Sequence, residues 1–341
     1  MHKHLQGLCA FFNKPYTYNP FLTRVKKKEH KSSKSNQKSI AHPILLILEA
    51  GPLQKHLVCV FLCHTETLSP EKSIDLLCVF RNEEWTTMEI IILGSGTGLP
   101  LVDRASPAFV LLLEKRFALF DMGPGTLRQL SRAGIPYNRI GHIFITHFHP
   151  DHTADLVHFL FATRHPPDLA KRRPFTITGP RGFRDFHKGL ERAYGNCLDL
   201  RPEIMEIKEL AATRKDRIGY EAFDIISQPV KHSDPSIAYR VEHPSGKSLV
   251  YSGDTGFCPE IIDLAKGTDL LILECALPDN EEIEGHLTPS LAGKIATQAG
   301  VKRLILSHFY PEVLETDIAA ECRKTFDGEL ILGRDLLHVR V

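Results

Sequence analysis

The sequence predicts one α/β domain over residues 88–341. Three observations carry the prediction. From Met88 onward, short apolar runs end in glycine or polar turns, as strands do. Helix-like stretches such as "ADLVHFLF" and "SLAGKIA" lie between some of these runs. The runs also keep ending in a residue able to bind a metal, and loops at strand ends are where an α/β scaffold gathers distant pieces of chain into one site.

Taken in order, "MEIIILGSGTGLP" (88–100) is a strand running into a glycine turn. Its "GSGTG" does not read as a dinucleotide loop. The spacing is GxGxG, "LPLVDRASP" follows where a helix is needed, and no acidic residue ends a second strand about 20 residues on. "AFVLLLE" and "RFALFDMG" are two further strands joined by a tight turn. "HIFI" is an apolar run leading directly into "THFHPDHTADL". "FDIISQPVKHSD" ends a strand at His232, "SLVYSGDTG" ends one at Asp254, and "RLILSHFYP" ends one at His308.

Upstream the texture changes. "RVKKKEHKSSKSNQKS" (24–39) is basic, serine-rich and poor in apolar residues, the composition of a disordered segment. "PILLILEA" and "HLVCVFLCH" are apolar but short, and fit isolated strands or helices equally. Residues 1–87 are therefore expected to be an N-terminal extension, largely disordered or not part of the native domain, with Met88 a candidate start. Over the whole chain, 42 Lys+Arg against 41 Asp+Glu leave a net charge of +1, which excludes a global electrostatic footprint for nucleic acid and leaves only local patches. The 43% of hydrophobic residues is enough to bury a sizeable core. No apolar run reaches roughly 18 residues, and no secretory pattern opens the chain, so a soluble cytoplasmic protein without a membrane partner is expected. Eight cysteines, none spaced CxxC, agree with reduced thiols, and Cys59 and Cys63 lack a second pair at zinc-finger spacing.

The densest cluster is His147, His149, Asp151 and His152 at one strand end. Each must find a partner or stay in water, and a metal ion would satisfy them all. A polar turn capping a helix, with Asp151 or Thr153 as N-cap, needs one such residue and not four. On an extended chain His147 and His149 project from one side, while Asp151 and His152, past Pro150, swing toward a neighbouring point. That geometry suits two adjacent cations better than one. The spacing excludes the helical zinc-protease pattern.

In this order the residues resemble the metallo-β-lactamase fold hydrolases, and within them ribonuclease Z. The likeness covers essentially all of 88–341, and the HxHxDH motif, the later histidine His232, the "SGDT" aspartate Asp254 and the final histidine His308 are all filled. The resemblance implies an αββα sandwich with metals at one edge of its two sheets. It implies one zinc on His147, His149 and His232, another on Asp151, His152 and His308, and Asp254 between them with a water or hydroxide. Two Zn2+ per chain are the expected cofactors, although Mn2+ or Fe2+ suit the same ligand types. Two cations about 3.5–4 Å apart bring the pKa of a shared water toward 7 and hold an oxyanion as charge builds. Asp151 is also expected to orient the attacking water.

"LILECALPDN" and "GHLTPSLAGKIA" resemble the ribonuclease Z stretch in which a glutamate supports a histidine near the leaving group, here Glu274 and His286, with Thr288 completing "HLT". Such a histidine would give a proton to the departing ribose oxygen. Thr288 equally fits the N-cap of a helix. Three departures stand against a dedicated transfer-RNA enzyme. The family's PxKxRN loop reads "PLVDRA", keeping Pro100 and Arg104 but placing Val102 and Ala105 where lysine and asparagine stand; "HEAT" reads "LECA"; and no glycine- and proline-rich arm separates "TITGPRGF" from "FDIISQ". Arg104 and Thr288 are the expected substrate contacts. "ATRHPPDLAKRRP", with Arg164, Lys171, Arg172 and Arg173, is either a phosphate patch or a solvated loop. The functional expectation is a dinuclear zinc phosphodiesterase of the ribonuclease Z-like type, acting on RNA 3′ ends or another phosphodiester. The alternative is a hydrolase of a carboxylic ester, thioester or lactone. A homodimer is left open.

Overall fold

The computed structural model describes residues 44–48, 57–61, 76–79 and 88–341, apart from 114–115, 166–168, 170–171 and 282. In chain order the strands are β1 (Ile44–Leu48), β2 (Leu57–Phe61), β3 (Leu76–Val79), β4 (Met88–Gly94), β5 (Ala108–Leu113), β6 (Arg116–Phe120), β7 (Ile140–Phe144), β8 (Phe175–Pro180), β9 (Met205–Leu210), β10 (Asp216–Gly219), β11 (Asp224–Pro229), β12 (Ile237–Glu242), β13 (Ser248–Tyr251), β14 (Leu270–Glu274), β15 (Arg303–Ser307), β16 (Glu329–Leu332) and β17 (His338–Arg340). The helices are α1 (Thr126–Arg132), α2 (Pro150–Thr163), α3 (Phe183–Tyr194), α4 (Pro259–Ala265), α5 (Pro289–Ala299), α6 (Pro311–Leu314) and α7 (Ile318–Arg323).

The chain divides between Glu83 and Glu84 into two units, close to the boundary expected at Met88. In the first, β1, β2 and β3 form an antiparallel sheet. "PILLILEA" and "HLVCVFLCH", open between strand and helix in the sequence, each supply a strand, and the two strands pair with one another. The basic run 24–39 lies outside the described residues.

In the second unit, β17-β4-β5-β6-β7-β8-β9 form one seven-stranded sheet and β10 to β16 form another in chain order. Each sheet is antiparallel on one side, through β4–β6 or β10–β13, and parallel on the other, through β6–β9 or β13–β16. Strands covered on both faces read as near-continuous apolar runs, and all of "MEIIILG" is buried, with Glu89 paired to His338 and Arg340. Ile90, Ile92, Phe109, Leu111, Phe120 and Phe144 share a core with Ile225, Tyr239, Val241, Leu249, Tyr251, Ile272 and Ile305 of the other sheet. Phe109 stacks on Phe120 at 4.5 Å, and Phe120 on Phe144 at 4.8 Å, so the aromatic payload lies between the sheets. Outside the second sheet, Ile261 and Leu264 of α4, Ile295 and Ala296 of α5 and Cys322 of α7 pack on Leu271, Leu273, Leu304 and Leu306. Leu130 of α1 and Leu156, Phe159 and Leu160 of α2 are buried as well. The fold is the metallo-β-lactamase type of α/β sandwich, two mixed sheets flanked by helices, as the sequence predicts. Among the described residues, no helix is long and apolar enough to cross a membrane, and Cys197, Cys258, Cys275 and Cys322 are free thiols.

Long-range hydrogen bonds pin the strand ends that carry the site. Tyr239 donates from its hydroxyl to the Ile145 carbonyl at 2.6 Å, and Ile237 N–H donates to the Thr146 carbonyl at 3.0 Å, so the exit of β7 is clamped against β12. Tyr251 reaches between the sheets to Asp121 just past β6, at 2.8 Å.

Candidate metal centre

The "HFHPDH" stretch leaves β7 extended and turns into α2 with His149 at the N-cap and Pro150 at the first helical position. Proline belongs there, because the first-turn N–H it lacks would be unpaired anyway. The helix thus starts earlier than an Asp151 or Thr153 cap would have it, and the Thr153 hydroxyl donates back to the His149 carbonyl at 2.9 Å. Two glycines permit the close approaches around this turn. A Cβ on Gly123 would fall 1.9 Å from the Asp151 carbonyl oxygen. Gly253, at φ 57, would place one 2.7 Å from Thr146.

All seven expected ligands come together. His147, His149, His232 and Asp254 form one group, and Asp151, His152, Asp254 and His308 form a second, with the donor atoms of each group within 4.8 Å of one another. Asp254 belongs to both. Its Oδ1 lies 3.0 Å from His152 Nε2 and 3.1 Å from His308 Nε2, while its Oδ2 lies 3.8 Å from His147 Nε2 and 3.7 Å from His232 Nε2. Asp151 Oδ2 faces the second group, 3.5 Å from His308 Nε2 and 3.7 Å from His152 Nε2.

Whether these residues fit cations can be judged from their unsatisfied atoms. His147 Nε2, His152 Nε2, His308 Nε2 and Asp254 Oδ1 are buried without a hydrogen-bond partner, although two of the separations are near 3 Å. Such atoms converge on shared points instead of aligning with one another. Buried polar atoms are ordinarily paired, so four converging ones fit a cation as their common partner. On His147, His152 and His232 the opposite ring nitrogen is already committed, whereas Nδ1 of His308 is also without a partner among the described residues. His152 Nδ1 meets Asp121 Oδ2 at 2.8 Å, which leaves its Nε2 bare toward the centre, and His232 Nδ1 meets the Gly285 carbonyl at 3.0 Å, which turns its Nε2 toward the centre, 3.1 Å from His149 Nδ1. His147 Nδ1 is held by the Thr146 hydroxyl at 2.9 Å. The donor set, imidazole and carboxylate without thiolate, suits a metal of zinc, manganese or iron type.

The protonation pattern agrees. Burial, with help from the charge of His152, holds His147 well below the usual histidine range. Burial also lowers His232, against the pull of Asp254. His152 is buried too, yet Asp254 and Asp121 on either side hold it well above that range. Burial would raise Asp254, but His152 and His308 bring it well below the ordinary carboxylate value. Similarly, Asp151 is lowered against its burial by the neighbouring His308 and the charge of His152. A carboxylate site that draws a proton onto a buried imidazole is one where a cation is stabilised.

Beside the second group stands His286. Its Nδ1 is 2.9 Å from Glu274 Oε1, and its ring lies 4.9 Å from that of His232 and 5.9 Å from that of His308. Burial alone would lower His286, but the Glu274 bond and charge, then Asp254 and Asp151, raise it to about 8. Glu274 is itself fixed by the backbone N–H groups of Thr255, Leu287 and Ala276 at 2.9, 3.1 and 3.3 Å. Tyr310 completes this wall, with its ring 5.9 Å from His308 and 6.3 Å from His286. Burial first, then the charges of Asp151, Asp254 and Glu274, hold its phenol above the usual range.

The expected substrate contacts face elsewhere. Arg104 donates to the Ser95 hydroxyl at 2.6 Å and the Gly333 carbonyl at 2.9 Å and lies over the Phe309 ring, so it braces the segment after His308. Thr288 is buried at the N-cap position of α5 without capping through its side chain, and its hydroxyl bonds Asp279. The basic stretch is corrected as well. Arg172 donates to the Tyr137 and Ile140 carbonyls and sits over Phe159 and Phe175, while Arg164 serves the Asn196 and Asp199 carbonyls. Of the arginines of that run, Arg173 is the exposed one, and Lys171 lies outside the described residues.

Sequence reading missed two supporting carboxylates. Asp121, buried at φ 55, accepts from Thr146 N–H at 2.8 Å, the Tyr251 hydroxyl and His152, and so links both sheets to the metal loop. Asp335 accepts from Ser95 N–H, the Ser95 hydroxyl and Ala105 N–H at 3.0, 2.8 and 2.8 Å, and so shapes the glycine turn beside Asp151. "FALFDMG" places Asp121 at a strand end, the one signal that pointed to it.

Fold and site together define a metal-dependent hydrolase of the metallo-β-lactamase fold. The chain belongs to the β-lactamase superfamily, because residues 116–309 match the model of the beta-lactamase superfamily domain. Ribonuclease Z of Thermobifida fusca is 28% identical over 316 residues, spanning 75% of this chain and 95% of that protein. Human tRNase Z, short form, is 26% identical with a TM-score of 0.59, covering 74% of this chain and 98% of that one. The metallo-beta-lactamase fold protein YhfI of Bacillus subtilis superposes with a TM-score of 0.65 at 21% identity, over 75% of this chain and 100% of that chain, a likeness of fold alone.

Proposed function

We propose that the protein is a dinuclear zinc phosphodiesterase in which Glu274 and His286 deliver a proton to the leaving group. The observation that carries the reading is the pair of buried Glu274 and half-buried His286 standing beside both ligand groups. His147, His149 and His232 would hold one ion, Asp151, His152 and His308 the other, with Asp254 shared. When bound, such a pair of ions supplies a nucleophilic water at neutral pH and charge for a developing oxyanion.

The chain's own residues supply the rest. Asp121 and the Gly285 carbonyl fix the tautomers of His152 and His232. Asp151, at the edge of the second group, accepts a proton from the attacking water and orients it. His286 keeps a proton at neutral pH because Glu274 holds its Nδ1–H, and Nε2–H is the atom that donates to the departing oxygen. A ribose alkoxide needs that proton. A thiolate needs it far less, and this distinction favours a phosphodiester over the thioester alternative.

The relatives named ribonuclease Z suggest an RNA substrate. Long RNA draws affinity from cations facing its phosphates. Here Arg104, Arg164 and Arg172 are committed to the protein interior or its carbonyls, and Lys231, next to His232, sits 3.3 Å from Glu284. A short phosphodiester is therefore the preferred form of the substrate within this reading. Assaying bis(p-nitrophenyl) phosphate against S-lactoylglutathione tests it. Turnover of the first and not the second is expected, and the reverse result overturns the proposal.

A further inference from the structure

We infer that the Tyr310 hydroxyl is a substrate-binding and catalytic group, donating a hydrogen bond to a non-bridging oxygen of the phosphodiester. The inference rests on the phosphodiesterase reading above and adds a residue to it. Tyr310 follows His308 by two positions, and its ring lies against the rings of both His308 and His286. The hydroxyl has no hydrogen-bond partner among the described residues, whereas Tyr239 and Tyr251, the two buried tyrosines between the sheets, each spend theirs on the protein. The residue is half-buried, with its ring against the two site histidines. The backbone N–H of Tyr310 bonds the Ala276 carbonyl at 3.3 Å, which ties the residue to the end of the strand carrying Glu274.

A half-buried phenol beside His308 and His286, with no hydrogen-bond partner among the described residues, is a donor without an acceptor of its own. It is free to donate to a tetrahedral phosphate, which presents oxygens beyond those that ions held by the seven residues would take. A neutral phenol O–H is the complement of an anionic phosphoryl oxygen. It complements His286, which serves the leaving oxygen: one group stabilises charge that grows on the phosphoryl whatever leaves, the other only a leaving group that needs a proton.

This division of labour supplies the test. Tyr310→Phe keeps the ring that packs on His308 and His286 and removes only the hydroxyl. Steady-state kinetics of the full-length, zinc-loaded protein on bis(p-nitrophenyl) phosphate and on a dinucleoside phosphate, with metal content measured in parallel, are expected to show a loss of about 10- to 100-fold in kcat, similar for both substrates. The metal content should stay at the wild-type value. A Tyr310→Phe protein with wild-type kcat and KM on both substrates overturns the inference. So does a loss confined to the dinucleoside phosphate, since Tyr310 would then act only through His286. A reduced metal content would assign it to support of His308 instead. If the wild type itself turns over neither diester, the phosphodiesterase reading fails first, and this outcome is distinct from an active wild type with an unchanged variant.

Discussion

Replacing Asp121 by asparagine should weaken metal binding without removing a ligand. The Asp121 carboxylate accepts from Thr146 N–H at 2.8 Å on Oδ1, and from His152 Nδ1 and the Tyr251 hydroxyl, both at 2.8 Å, on Oδ2. The backbone N–H can only donate, so it keeps the remaining amide oxygen of Asp121→Asn on the Oδ1 side. The new NH2 then faces His152. The Tyr251 hydroxyl can rotate and accept, but His152 must present a bare Nδ1, and its proton moves to Nε2, the atom aimed at the centre. A protonated Nε2 has no lone pair for a metal. The loss of such a supporting partner is typically about 10–100-fold in metal affinity, or about 1.4–2.7 kcal/mol. The metal-free protein should also lose about 1–3 kcal/mol from the mismatched buried donors. For a domain near this size that lowers Tm by roughly 2–4 °C per kcal/mol. Competition of the variant with a chromogenic zinc chelator, beside a thermal melt of the metal-free form, measures both. A variant that competes for zinc within about two-fold of wild type would refute the tautomer argument, since the expected loss is at least about ten-fold.

Other outcomes follow from the same structure. His286→Ala should cost roughly 10²-fold or more on a dinucleoside phosphate and far less on bis(p-nitrophenyl) phosphate, because p-nitrophenolate leaves without a proton; equal losses would make His286 a positioning group. As His286 is raised to about 8 and acts in its protonated form, the wild-type rate on the dinucleoside phosphate should fall as pH rises through that region. Bound cations cancel the Asp254 and Asp151 share of the shift, so the descending limb belongs at or below that value, and a limb absent from the wild type would contradict the acid role. A chain beginning at Met88 should fold and bind metal, since every ligand lies downstream and the first unit has its own sheet; insolubility of that chain beside a soluble full-length one would contradict this. His142 provides a stability test away from the site. Burial, then the charges of Arg116 and Lys208, depress it to about 4, so the folded state resists a proton that the unfolded chain accepts near 6.5. Its stabilisation is present above pH 6.5 and is lost as pH falls from there toward 4. After allowance for its partial exposure the effect is about 1–2 kcal/mol. Urea melts of His142→Phe should show that much less dependence on pH over this interval, and parallel curves would show that the group does not carry it.

The ligands were legible because each closes an apolar strand, and an α/β fold brings such ends together without any need to know side-chain directions. His232, Asp254 and His308 are ordinary singly and become informative only as an ordered set with the "HFHPDH" cluster. What sequence could not supply was direction. Arg104 and Arg172 have the residue type of a phosphate contact, yet each guanidinium turns to backbone carbonyls and an aromatic face. Thr288 turns to Asp279 for the same reason: a short loop leaves its own polar groups to be satisfied. Asp121 and Asp335 escaped notice because their partners are far away in the chain. Tyr251 lies 130 positions from Asp121, and Ser95 lies 240 from Asp335. The strands at Ile44–Leu48 and Leu57–Phe61 were ambiguous for a different reason, since short apolar runs carry no period that separates strand from helix.

The central claim is that two cations share Asp254, and elemental analysis of the full-length protein after zinc repletion and desalting tests it most directly. Seven convergent ligands exceed what one tetrahedral ion accepts, so about two metal ions per chain are expected. Asp254→Asn, which changes the one residue common to both groups, should bring the value toward zero. A reproducible wild-type stoichiometry near one would contradict the dinuclear centre, and a stoichiometry near zero would contradict a metal centre altogether.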